Sequence, residues 1–368
     1  MDLFIAIYLF AALLGFLAIG ERKLSIVLRR NTKKDYSDIY LKVVFLILFI
    51  FCAFRHPSIG TDTQTYIKSF LSPTFLDLTI DGGEKFELGY KLLVHIIRRF
   101  SLNPQVYIIV VTIIIFGGMY KFIKDNCKGY FSVAIVIYIG LLYYTNFSAI
   151  RQCIALAFAV NSYTFLKKRK WVQASIIIIV AGLFHTTAWI LLIFIPLSFT
   201  EWTRKKIVVA ILGSSIGILL FEKVVDIVIK ILPVYARYWN GAAMDSSGSS
   251  IGIFAILVGF LCVVAIYIIF TKWETFYNKA ERNEYILALT GSVFAVFVNL
   301  LGRRYGIFSR ISRYFIPFAI LLTVCLVRNY IKNKYIVYIG ICIIMGVYFY
   351  VIMNGNIYKI IPYKMFFE

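Results

Sequence analysis

The sequence predicts an all-α polytopic membrane protein, with about 11–12 transmembrane helices and an amphipathic helix along the outer interface. Three observations predict it. Of 368 residues, 61% are hydrophobic and only 15% are charged, against about 25% charged in an average soluble domain. The mean hydropathy is +0.83. The apolar residues gather in runs of 14 to 20, enough to cross a hydrocarbon core of about 30 Å once tilt and mismatch are allowed. A soluble enzyme, a disordered tail and a disulfide scaffold are excluded. The net charge of +21 would suggest nucleic acid in a soluble protein, but here the side each cation occupies matters first.

Taken in order, the first run (3–20) follows Asp2 and precedes Arg22 and Lys23, so it reads as a retained span rather than a cleaved signal. Spans follow at 41–54, 104–120, 130–146 and 149–166. The connections at 22–42, 121–128 and 167–170 hold fourteen Lys and Arg, against seven on the opposite side. Positive-inside logic therefore puts the N-terminus and the 55–103 segment outside the cytoplasm. Residues 171–197 are apolar apart from His185, Thr186 and Thr187 near their middle. One helix there would be about 40 Å long, and two halves about 20 Å each. The segment is either one tilted span or a hairpin of short helices with His185 at its tip. Later runs at 207–222, 251–270, 285–301, 314–327 and 335–353 alternate in either case, and their flanking basic residues tie at nine a side. The hairpin is preferred because it gathers the unusual polar clusters on one face. The chain forms one integral membrane domain over 1–368, and 223–250, with its MDSSGSS run, is an extracytoplasmic loop and candidate lid.

The six cysteines are scattered without a CxxC pair, and His56, His95 and His185 lie far apart. No metal-ligand spacing, Walker A loop, GxGxxG or DxD pair occurs. The chemistry must reside in polar clusters at the membrane surface.

In the first cluster, Arg55 and His56 end a span, Pro57 stops it, Gly60 turns, and Thr61 or Asp62 can cap a helix carrying Tyr66. Capping alone is one account of these residues, and a ligand site is the other. From Phe86 to Phe100 the apolar spacing is helical, with Glu87, Lys91, His95, Arg98 and Arg99 on a polar side. Glu87, near the helix start, stands apart from the headgroup-facing cations. Arg151 and Gln152 sit about one turn inside a span, where a charge costs roughly 2.5–3.5 kcal/mol and usually faces a polar cavity. His185 is the deepest histidine. The last cluster holds Arg303, Arg304, Arg310 and Arg313 without a lysine. Arg310 and Arg313, three apart, share a helical face with Tyr314 beside them. Guanidinium is the side chain for bidentate phosphate contacts. An outward, arginine-rich cavity with Asp62, Glu87 and His185 as candidate bases suits a lipid pyrophosphate.

Five motifs in order carry a resemblance: Arg-x-Pro-x-Ile-Gly-Thr-Asp-x-x-x-Tyr (Arg55 to Tyr66), Glu-x-Gly-Tyr (Glu87 to Tyr90), Ile-Arg-Gln (Ile150 to Gln152), Phe-His-x-Thr-Ala (Phe184 to Ala188) and Arg-Ile-x-x-Tyr-Phe (Arg310 to Phe315). The chain resembles the EpsG family of Wzy-like polymerases of bacterial exopolysaccharide, capsule and O-antigen. Thr187 stands where a serine is usual.

The resemblance implies a GT-C-like glycosyltransferase of the bacterial plasma membrane. It would join undecaprenyl-pyrophosphate-linked donor and acceptor units at the outer face, periplasmic or exterior. Arg151, Arg310 and Arg313, with Arg55 as a fourth candidate, are assigned to the leaving diphosphate. His185 is the expected base if the hairpin is real, and Asp62 otherwise. Glu87, Gln152, Tyr66 and Tyr314 are expected to bind substrate. The leaving group is already activated, so no metal and no cofactor is expected, and inversion at the anomeric carbon follows from a single displacement. The bilayer and a chain-length regulator are the expected partners, and nucleic acid is not. The alternatives from other classes are a flippase or exporter of lipid-linked oligosaccharide, and a membrane acyltransferase.

Overall fold

A computed structural model describes residues 1–27, 36–72, 86–210, 249–273, 279–302 and 306–368, with isolated positions between 213 and 230. The expected lid at 223–250 falls almost wholly outside the described residues, as do Arg303 and Arg304. All regular structure among the described residues is helical, apart from an isolated antiparallel bridge between Arg55 and Met365. Six of the helices are long and apolar enough to cross a membrane: Asp2–Ile19, Pro104–Asn126, Gly252–Thr271, Glu281–Leu301, Phe308–Asn329 and Lys334–Gly355. The chain is an all-α polytopic membrane protein.

It folds as two compact units, one of Met1–Ile193 with Thr323–Glu368, and one of Phe194–Leu322. In the first unit α1 (Asp2–Val27), α2 (Tyr36–Ala53), α5 (Pro104–Asn126), α6 (Phe131–Leu141) and the late helix Lys334–Gly355 pack together. Every residue of α6 is buried. Its sequence, FSVAIVIYIGL, has no charge and no polar face, the composition of a helix enclosed on all sides. At 11 residues it spans about 16 Å, and a 3-10 segment, Tyr143–Phe147, continues it. α1 turns Leu9, Leu13 and Leu17 outward while Phe4, Ile7, Tyr8 and Ala11 are buried. Polar groups between these helices bond to backbone: Tyr40 and Tyr338 donate to the carbonyls of Ala11 and Ala12, and Tyr8 to that of Cys342. Away from water such groups must find partners within the protein.

Residues 171–197 form a hairpin. α9 (Trp171–Gly182) ends, Leu183–His185 turns, and a 3-10 segment, Thr186–Ile193, packs back on α9. The Trp189 indole N–H donates to the Ile179 carbonyl at 3.3 Å. In one continuous helix those residues would lie about 15 Å apart along the axis. The chain end pairs with the first polar loop. His56 N–H donates to the Lys364 carbonyl, Gly60 N–H to that of Lys359, and Phe366 N–H to that of Phe54. The tail therefore shares a side with the 54–60 loop.

α4 (Leu88–Phe100) differs from the expected headgroup helix. Lys91 is buried, and Arg98 donates to the carbonyls of Phe70 and Ser72, closing the end of α3 (Thr63–Leu71). Its outward stripe is instead apolar, Leu88, Leu92, Ile96 and Phe100 at helical spacing. A helix with that stripe still suits a lipid surface.

In the second unit α10 (Phe194–Phe199) packs on the helix Lys279–Leu301, which also packs on Ser249–Thr271 and Gly306–Ser312. Phe194, Phe294, Phe315 and Phe318 form its aromatic core, with Phe194 stacked on Phe318 at 4.5 Å.

Candidate functional site

Four of the five motifs converge within the first unit. The Arg55–Tyr66 loop is pinned beside the start of α7 (Ile150–Ala159). Thr61 and Ser148 hydroxyls pair, and Thr63 donates to the Phe147 carbonyl at 3.0 Å. Gly60 has φ +100°, a conformation that disfavours a side chain, and its amide binds the chain end. Arg55 is wholly enclosed: it donates to the Cys52 carbonyl and thiol and lies 5.5 Å from the Phe147 ring centre. In this geometry its contacts hold the loop. Asp62 occupies the position before α3, as expected, but its side chain makes no capping bond.

The centre of the site is Glu87, which sits just before α4 with its side chain 13% exposed. Three donors converge on its carboxylate. Arg151 gives an N–H to Oε2 at 2.5 Å, His185 Nδ1 lies 2.9 Å from Oε1, and the Thr186 backbone N–H reaches Oε1 at 3.4 Å. Burial alone would push the Glu87 carboxyl up. The hydrogen bond with His185 and the charge of Arg151 outweigh it and hold the group below the usual carboxylate range. An ionised carboxylate only accepts, so Nδ1 of His185 carries the hydrogen and, in the neutral ring, Nε2 keeps its lone pair.

Arg151 is the second residue of α7, in its first turn rather than one turn inside. Its guanidinium lies 4.5 Å from the Phe86 ring centre and 5.9 Å from those of Tyr66 and Tyr90. Each such contact adds about 0.5–2 kcal/mol according to exposure. Burial pushes the Tyr66 and Tyr90 phenols up, with Arg151 partly opposing the shift in both. Both stay neutral at ordinary pH. Tyr90 also shares a 2.6 Å hydrogen bond with Tyr107 on α5.

The Glu-x-Gly-Tyr motif thus has a physical role at each fixed position. Glu87 binds Arg151 and His185, and Tyr90 walls the guanidinium. Gly89 lets the hairpin tip approach: its N–H donates to the Leu183 carbonyl at 2.8 Å, and a Cβ there would meet that oxygen at the same distance. Gly89→Ala is therefore expected to separate α4 from the tip, costing about 1–3 kcal/mol in thermal unfolding. The same change should separate His185 from Glu87, which lie on the two sides of that contact.

Phe86 and Leu183 are site residues the sequence did not single out. Phe86 precedes Glu87 and could have been found as an aromatic beside a lone carboxylate. Leu183 contributes only backbone, and no residue-type signal marks it. Gln152 is 4% exposed and faces inward.

Arg310, Arg313 and Tyr314 belong to the second unit. The helix there ends at Ser312 and tightens into turns, with Arg313 N–H on the Arg310 carbonyl and Tyr314 N–H on that of Ile311. Arg310 is exposed, Arg313 half-buried and Tyr314 fully buried.

The multi-pass helical architecture, with a carboxylate, an imidazole and a guanidinium joined beside an aromatic wall, defines a membrane protein with a polar site built from its connecting segments. A model of the EpsG family matches residues 38–365. The chain belongs to the EpsG family, which is a family of Wzy-like polymerases. No curated protein and no solved structure matches the chain.

Proposed function

We propose that this protein joins oligosaccharide repeat units carried on undecaprenyl pyrophosphate into a bacterial surface polysaccharide, at the outer face of the plasma membrane. Family membership supports the reaction class. The observation that carries the assignment of residues is the 2.9 Å contact between His185 Nδ1 and Glu87, which leaves Nε2 for the acceptor.

A hydroxyl oxygen of the acceptor unit attacks the anomeric carbon of the donor. The bond from that carbon to the diphosphate oxygen breaks, and undecaprenyl pyrophosphate departs with the electron pair. The hydroxyl proton passes to Nε2 of His185, which acts as general base. Glu87 fixes the tautomer and balances the imidazolium. Arg151, held 4.5 Å from the Phe86 ring centre, is a fixed cation for the charge that develops on the leaving group. With the hairpin in place, His185 is preferred to Asp62 as base. Arg310 and Arg313 are proposed as diphosphate ligands by residue type and motif alone, and Arg55 is not, being enclosed. Attack opposite the leaving group inverts the anomeric centre. The diphosphate is a good leaving group without a nucleotide or a metal.

The test is reconstitution of the purified chain in liposomes with a labelled lipid-linked repeat unit. A ladder of lengthened glycans should form without nucleotide sugar and in the presence of EDTA. Transfer of the unit across the bilayer without any lengthening would sink the proposal and favour a flippase.

A further inference from the structure

The second unit holds a cavity of about 300 Å³ that the polymerase reading does not use. It is lined by Glu201, Trp202 and Arg204 on one segment and by Trp273, Arg282 and Asn283 on another. Trp273 follows the membrane helix Gly252–Thr271, and Arg282 and Asn283 lie in the first turns of the helix Lys279–Leu301. Arg282 sits 4.9 Å from the Trp273 ring centre and Arg204 5.8 Å from it. One indole thus holds two guanidinium groups at the cavity wall.

Two donors there are shielded from solvent and have no hydrogen-bond partner among the described residues: Arg282 Nε and Trp202 Nε1. Trp202 is only 9% exposed. An unmade bond at a buried donor costs about 1–3 kcal/mol, and more when the group is charged. Both groups can only donate, so what would satisfy them is an acceptor, and beside a guanidinium an oxyanion. The two arginines exceed the single carboxylate, Glu201, by one positive charge. A phosphodiester carries the complementary single negative charge. The site also flanks the ends of membrane helices, at the depth where phospholipid phosphates lie and where tryptophan concentrates.

We propose that this cavity binds a phosphodiester, the headgroup linkage of an anionic phospholipid. Arg282 and the Trp202 indole donate to its oxygens, and Arg204 supplies further positive charge.

The test uses the full chain in amphipol, with Trp273 as reporter beside the arginines. Dihexanoyl phosphatidylglycerol should change tryptophan emission saturably. Arg282→Gln and Trp202→Phe should each weaken binding about tenfold, the loss of one charge-assisted bond. Trp202→Phe keeps an aromatic side chain while removing the N–H donor, so it decides the matter if Arg282→Gln fails to fold. Inorganic phosphate is the second probe. Binding of phosphate with the same sensitivity to the two variants would show that the anion alone is read, and binding of the lipid alone would show that the headgroup is. Saturation by neither probe, or unchanged binding in a folded Trp202→Phe variant, overturns the proposal. Failure of the polymer assay would leave this binding result standing.

Discussion

Replacement of His185 by alanine is expected to lower chain growth by about 10²–10⁴-fold, the usual contribution of a positioned general base. The geometry makes the expectation specific. Glu87 accepts from Nδ1, so the base must act through Nε2. His185→Ala removes the base without emptying a core, since the ring is 21% exposed at the hairpin tip. Insertion should therefore stay near wild type, and stability should fall by no more than the lost bond to Glu87, about 1.5–3 kcal/mol. Added imidazole should restore part of the activity, an outcome that a structural role would not give. Glu87→Gln provides the contrast. It keeps the shape but loses the charge and one acceptor, so kcat should fall while KM changes little. If His185→Ala protein at wild-type levels lengthened glycans at the wild-type rate, His185 would not be the base.

Arg151→Ala should have a second large effect, on activity and stability together. It removes the hydrogen bond to Glu87 Oε2 and leaves a carboxylate only 13% exposed without its cation. Breaking a buried pair from one side costs about 3–5 kcal/mol. The remaining exposure of Arg151, 20%, places the expected loss at the low end, about 3 kcal/mol. The rings of Phe86, Tyr66 and Tyr90 also lose the group they flank. Arg151→Lys separates the contributions. An ammonium can restore the ion pair with Glu87 and much of the stability, but it lacks the planar, forked guanidinium that reaches Glu87 and Phe86 together. Activity should recover less than stability does. Thermal unfolding in detergent and the glycan ladder measure the two quantities. Full chain growth by Arg151→Ala would remove Arg151 from the mechanism.

Much of the fold was legible because hydrophobicity is additive along the chain. The apolar runs fix spans whatever they touch, and α6 reads as an enclosed helix from its own residues. Charge asymmetry could orient only the first half, since the later basic residues tie between the sides. The 171–197 segment was ambiguous for a related reason: its length fits one tilted helix or two short ones. Only the return of Thr186–Ile193 onto α9, with the Trp189 bond to Ile179, separates the two arrangements.

The site divides in the same way. Arg151, His185 and Glu87 could be picked out individually, because ionisable residues at a membrane surface or within a span are costly and need a reason. Their relationship could not. Glu87 lies 64 residues from Arg151 and 98 from His185, and no local spacing encodes such contacts. Arg55 shows the converse. Residue type suggested a phosphate ligand, yet its surroundings enclose it against Cys52 and Phe147.

Composition and charge alone specify a helical membrane protein, an expected orientation for its first half, and the residue types of the polar site. Those properties are sums over local chemistry. The tertiary structure alone decided that 171–197 folds back, that Glu87 joins His185 to Arg151, and that Arg55 is buried. These depend on which distant segments share a few ångströms of space, a property of the packed chain and not of any stretch of it.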